Sequence, residues 1–109
     1  MLGLAGSAAI FLYQKPIDLR KGFEGLSLVV EREFGQRVTT GAYFAFLNRK
    51  RDRMKVLYWD GDGLAIWYKR LEQGCFSKGV GKVELERREF FMLLEGVTPK
   101  RLQKRFRIV

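Results

Sequence analysis

The sequence predicts an α+β domain: an antiparallel β-meander of about four strands packed with two main helices. Three observations carry this. Apolar runs flank the turn Asp60-Gly61-Asp62-Gly63, an apolar stripe at helical spacing follows Asp18, and a second helical stretch ends near Gly96. In chain order, Ala8 to Tyr13 is an apolar run with β-branched and aromatic members, bounded by Gly6-Ser7 and Pro16, as a buried first strand requires. Asp18 is placed to cap a helix from about Leu19 to Phe34. There Leu19, Phe23, Leu26, Val30 and Phe34 recur at steps of three and four, and Gly35 supplies a stop. Gly22 and Gly25 inside it lower its propensity, so they are expected where the helix approaches a sheet closely.

Tyr43 to Leu47 is the second strand, Asn48 to Asp52 a charged connection, and Met54 to Trp59 the third strand. Gly and Asp in Asp60-Gly61-Asp62-Gly63 accept positive φ cheaply, which makes a hairpin into a fourth strand, Leu64 to Leu71. That turn pairs Trp59 with Leu64, Leu57 with Ile66, and Lys55 with Tyr68. It leaves both sheet faces largely apolar, and such a sheet needs cover on both sides. Gly74 to Lys82 is a glycine-containing loop, and Leu85 to Leu94 the second helix, closed by Gly96. After Thr98-Pro99, residues 100–109 form a basic tail that fits a helix turn, a strand or a flexible arm.

A chain of 109 residues is one domain, 1–109. Its apolar fraction of 47% belongs to a folded protein rather than a disordered basic tail. Lys and Arg total 21 against 12 acids, a net charge of +9, which attracts nucleic acid or an anionic surface. The single cysteine, Cys75, excludes an internal disulfide and fits a reducing, cytoplasmic setting. With no histidine in the chain, a Cys–His nucleophile is excluded, and Cys75 reads as a buried or incidental thiol. The apolar N-terminal stretch lacks a positive n-region and is too short to span a bilayer, so no membrane partner is expected.

Charge gathers at one end of the expected hairpins: Arg49, Lys50, Arg51 and Arg53, with Lys69 and Arg70. This is a basic rim, and a hairpin tip of this kind reaches a nucleic-acid backbone or groove. The plainer reading is a solvated turn whose charges guard the sheet against edge pairing. Arg20 and Lys21, in the expected first turn of helix one, oppose the helix dipole. With free N–H groups they would make a phosphate site, or else a solvated pair balanced by Asp18. Trp59, Trp67, Tyr58 and Tyr68 suit base stacking, but in a domain this small core packing is the more economical use. Asp60 and Asp62 are better explained by turn chemistry than by a metal. A two-metal site needs a third carboxylate, and the spacing of Glu72 and Glu95 does not supply one. No catalytic residue, metal ligand or cofactor is therefore assigned.

Four blocks resemble a known family. They are Pro16-Ile17-Asp18-Leu19-Arg20-Lys21-Gly22-Phe23-Glu24-Gly25-Leu26; Asn48 to Arg53 followed by Lys55-Val56-Leu57-Tyr58-Trp59-Asp60-Gly61-Asp62-Gly63; Trp67-Tyr68-Lys69-Arg70-Leu71-Glu72; and Leu93-Leu94-Glu95-Gly96. In this order they resemble the TnpB accessory proteins of the insertion sequence 66 family of bacterial transposable elements. The chain departs from the pattern in loops, at Gln36 to Gly41 and in the Gly-Val-Gly stretch after Ser77. The resemblance implies a role in transposition beside a separate, larger transposase, and no assigned chemistry. Two functions fit. One is a non-enzymatic accessory that binds DNA at element ends or within the transposase complex. The other is a subunit that binds the transposase, or another protein of the element, without touching DNA.

Overall fold

The computed structural model describes residues 6–77 and 83–95. It holds a five-stranded sheet in the order β4-β3-β2-β1-β5 with two helices. Strand β1 is Ile10–Leu12, β2 Tyr43–Leu47, β3 Arg53–Trp59, β4 Leu64–Arg70 and β5 Glu84–Leu85; helix α1 is Phe23–Val29 and α2 Arg87–Leu94. The α+β class stands, with two corrections. The described residues form five strands rather than four, and the sheet is mixed: β1 runs parallel to β2, pairing Ile10 with Tyr43 and Leu12 with Ala45. The fifth strand comes from Leu85, expected in the second helix, which instead pairs with Ile10. Two residues are too short a run for strand periodicity to announce.

The β3–β4 hairpin follows its turn chemistry. Trp59 faces Leu64, Leu57 faces Ile66 and Lys55 faces Tyr68. The Asp60 amide donates to the Gly63 carbonyl at 2.7 Å, and Gly61 takes a φ of 79°. Both sheet faces are covered, as their apolar character demands. On one face Leu12, Tyr43, Ala45, Leu47, Met54 and Val56 pack with Phe76 and with Phe90, Leu93 and Leu94 of α2. On the other, Phe44, Phe46 and Leu57 pack with Leu19, Leu26 and Val30. Trp67 and Tyr58 pack against the first core, so that Trp serves packing. Cys75 is half-buried beside the fully buried Phe76.

The first helix differs most from its sequence pattern. It begins at Phe23, with Gly22 in extended conformation before it and no side-chain cap. Asp18 does not cap it. Its carboxylate accepts the Arg20 amide at 2.9 Å and closes a tight local turn, the competing use of an Asp side chain. Leu19 is buried from this turn, while Phe23 is 48% exposed. The helix then widens into a π-helical turn, Val30–Phe34, which ends at Gly35 with φ 62°. There Phe34 lies 5.5 Å from the Phe44 ring and 5.7 Å from that of Phe11. Gly22 and Gly25 do not abut the sheet. A β-carbon at Gly22 would meet nothing, and one at Gly25 would press on the Lys21 side chain at 3.0 Å.

Helix α2 starts two residues later than its apolar pattern suggests, because Glu86 and Glu89 form a reciprocal capping box. Lys69 closes its other end, donating to the Leu94 carbonyl at 3.1 Å. The stop expected at Gly96, the loop residues 78–82 and the basic tail 100–109 lie outside the described residues.

Candidate nucleic-acid interface

The parallel β1–β2 pairing sets the geometry of the basic end. Beyond β1, the Tyr13 amide donates to Ala45 and the Ile17 amide to the Leu47 carbonyl, both at 2.9 Å. The segment Lys15 to Arg20 therefore runs beside the tip of the β2–β3 hairpin. A groove of about 560 Å³ opens between them, lined by Asp18, Arg20, Asn48, Arg49, Lys50, Asp52, Arg53 and Tyr68, among others. A second, of about 430 Å³, lies on the other side of the tip, where Lys15, Arg49 and Arg51 meet Leu12, Tyr13 and Leu47.

The tip is built by its own residues. The Asn48 side chain accepts the Arg53 amide at 3.0 Å and donates to the Asp52 carboxylate at 2.7 Å. Arg51 turns the chain in the left-handed region, φ 57°, the sole non-glycine residue there among those described. Its carbonyl accepts the Phe76 amide at 2.6 Å, and that of Asp52 accepts the Leu71 amide at 2.8 Å. The segment after β4 thus straps the tip from below and fixes its direction.

Electrostatics favours an anion in the larger groove. Four cations line it against two carboxylates. Both carboxylates are already engaged. Arg20 holds Asp18 through a bond of 2.6 Å and draws its pKa down to about 2, and the Asn48 bond lowers that of Asp52. Arg49, Lys50, Arg51 and Arg53 enter no ion pair among the described residues.

The expected site residues therefore separate. Arg20, Arg49, Lys50 and Arg53 line one groove, and Arg51, again with Arg49, the other. Lys21 precedes the helix rather than sitting in its first turn, so the expected phosphate site on the helix N-terminus is not formed; its carbonyl accepts Lys55 Nζ at 3.0 Å. Lys69 points to the opposite face and closes α2. Arg70 faces Arg53 across the β3–β4 ladder and is paired with Glu72 at 3.1 Å. Two cations at this end, Lys55 and Lys15, are not among the expected site residues, and for Tyr68, suited to base stacking, core packing is the expected use. Tyr68 is 49% exposed, its hydroxyl accepts from Arg53 at 3.3 Å, and Lys55 sits 5.1 Å from its ring centroid. The hairpin register contained the signal for Tyr68 and Lys55. Lys15 reaches the tip only through the parallel pairing.

A family model described as IS66 Orf2 like protein matches residues 8–104. The chain belongs to that family. It is therefore a protein associated with insertion-sequence transposition. Among curated proteins it is similar to y4jC of Sinorhizobium fredii, 29% identical over 96% of this chain and 92% of that protein. It is also similar to y4hO of the same organism, 27% identical over 98% of this chain and 96% of that protein. Both carry the description "uncharacterized protein". No solved structure matches. Among the described residues of this IS66 Orf2-like protein, no helix is long and apolar enough to cross a membrane. Asp60 and Asp62 have no third Cys, Asp or Glu grouped with them to hold a metal among those residues.

Proposed function

We propose that this IS66 Orf2-like protein is a non-catalytic accessory of DNA transposition that binds DNA, at element ends or within the transposase complex, through the tip of its β2–β3 hairpin. One observation carries the reading. Arg49, Lys50 and Arg51 on a strapped turn and Arg53 at the start of β3 have no ion-pair partners among the described residues, while both groove carboxylates are held by other side chains. Duplex DNA carries a condensed layer of cations along its phosphates. Lys and Arg side chains that neutralise those phosphates release the condensed cations, which is the main source of sequence-independent affinity for DNA. The strap supplies orientation: phosphate contacts position a protein on the duplex only when their own geometry is fixed.

The test has two arms. Purified protein is titrated against duplex DNA at low salt, and the tagged protein is recovered from cells carrying the whole element, with and without nuclease. Affinity at low salt and nuclease-sensitive recovery of element DNA are expected. Absence of DNA affinity at low salt, with transposase recovery unaffected by nuclease, would instead assign a protein-binding subunit. Incubation with Mg²⁺ or Mn²⁺ and element-end DNA is expected to leave the strands intact. Cleavage or joining would refute the non-catalytic part.

A further inference from the structure

Among the described residues, the outer edge of β4 is the longest free strand edge the sheet offers. β4 stands last in the strand order, and its seven residues pair with β3 without a bulge. The alternation of ladder bonds fixes which backbone groups face outward. The Asp60 amide bonds Gly63 and the Leu71 amide bonds Asp52, so the groups of Leu64, Ile66, Tyr68 and Arg70 point away from β3. No proline interrupts the strand, and its charges sit at one end only, Lys69 and Arg70. Edges of this length are ordinarily blunted by a charge in mid-strand, a bulge or a proline.

We propose that this edge pairs with the same edge of a second copy, antiparallel and centred on Ile66, to make a two-fold dimer with one continuous ten-stranded sheet. The sequence is self-complementary in that register. Ile66 meets Ile66 of the second copy, Leu64 meets Tyr68, and Ala65 meets Trp67, small against large. Arg70 comes opposite Asp62, twice by symmetry. In that register the outward-facing backbone groups of Leu64, Ile66 and Tyr68 find partners, while the Asp62 amide stays with the Asp60 carbonyl of its own turn and Asp62 meets Arg70 through its side chain. Slipping by two residues loses this: one direction sets Tyr68 opposite Asp62, the other sets Asp62 against Glu72. The half-exposed Tyr68 and the half-buried Leu64, Ile66 and Trp67 gain cover in the same step. The interface does not depend on what the hairpin tip binds. It places the two tips at opposite ends of the sheet, on the order of 40 Å apart from strand rise and spacing.

Sedimentation equilibrium without DNA, over a wide range of concentration, tests the proposal. A reversible dimer of twice the 12.7 kDa chain mass is expected. Tyr68→Pro removes an outward-facing N–H and no bond to β3, so the variant is expected to keep its far-ultraviolet spectrum and become monomeric. Arg70→Glu and Asp62→Arg are each expected to raise the dimer dissociation constant about tenfold, and the double variant to restore it to near the wild-type value. This cycle keeps the test decisive if the proline variant fails to fold. A monomer at every concentration, a dimer indifferent to a folded Tyr68→Pro, or a double variant no tighter than the singles would each overturn the proposal.

Discussion

Arg51 and Asp18 show most clearly what single residues do here. Arg51 holds φ 57° at the hairpin tip, a conformation that costs a residue with a β-carbon about 1–2 kcal/mol. Arg51→Gly is therefore expected to leave stability unchanged or raise it by up to about 1 kcal/mol, whereas Arg51→Val lowers it; urea melts measure both. Asp18 has its pKa drawn down to about 2, first by the Arg20 side-chain bond and then by the Arg20 amide. A depressed carboxylate contributes stability that is fully present above its unfolded value near 4 and is lost as pH falls through about 2. The Asp18 side-chain carbon, followed by NMR, should titrate with a midpoint near 2; a midpoint near 4 would mean that the Arg20 pair does not form in solution. Because Asp18 occupies Arg20, Asp18→Asn is expected to free that guanidinium and tighten DNA binding in an anisotropy titration. Weaker binding would show that the loop depends on the pair.

At the scale of elements, burial separates residues that look alike in sequence. Phe23 and Phe90 both sit on apolar helical stripes, yet Phe23 is 48% exposed and Phe90 is fully buried. Phe90→Ala is expected to cost about 3–5 kcal/mol in denaturant unfolding, and Phe23→Ala to stay within about 0.5 kcal/mol of wild type. The sheet's local half was legible. The Asp60–Gly63 turn carries its own φ demand, and period-two patterning then sets the register of every β3–β4 pair. The start of α1 was not, because an Asp before an apolar stripe signals either a cap or a local turn. Here Arg20, two residues on, draws the carboxylate into the turn. The β1–β2 pairing was also hidden. Nothing local encodes a parallel partner about thirty residues away, and loop-closure entropy leaves no trace in the sequence.

For the whole molecule, the legible part of the candidate site was its charge and the illegible part its assembly. The run Arg49 to Arg53 announces a basic tip, but only the fold brings Lys15 and Arg20 beside it and sends Lys69 to the other face to close α2. A basic, strapped tip on a doubly covered sheet makes a specific energetic statement: binding should be dominated by counterion release at a few fixed cations. The decisive measurement is the salt dependence of duplex binding by wild type and by a variant with Arg49, Lys50 and Arg53 changed to Ala and Arg51 to Gly. Glycine there keeps the left-handed turn. If the tip contacts phosphates, log affinity against log salt is steeper for wild type by about 3 to 4, near 0.9 for each cation removed, while both proteins melt alike. Equal slopes and equal affinities at every salt, with the variant folded, would contradict DNA binding at the tip.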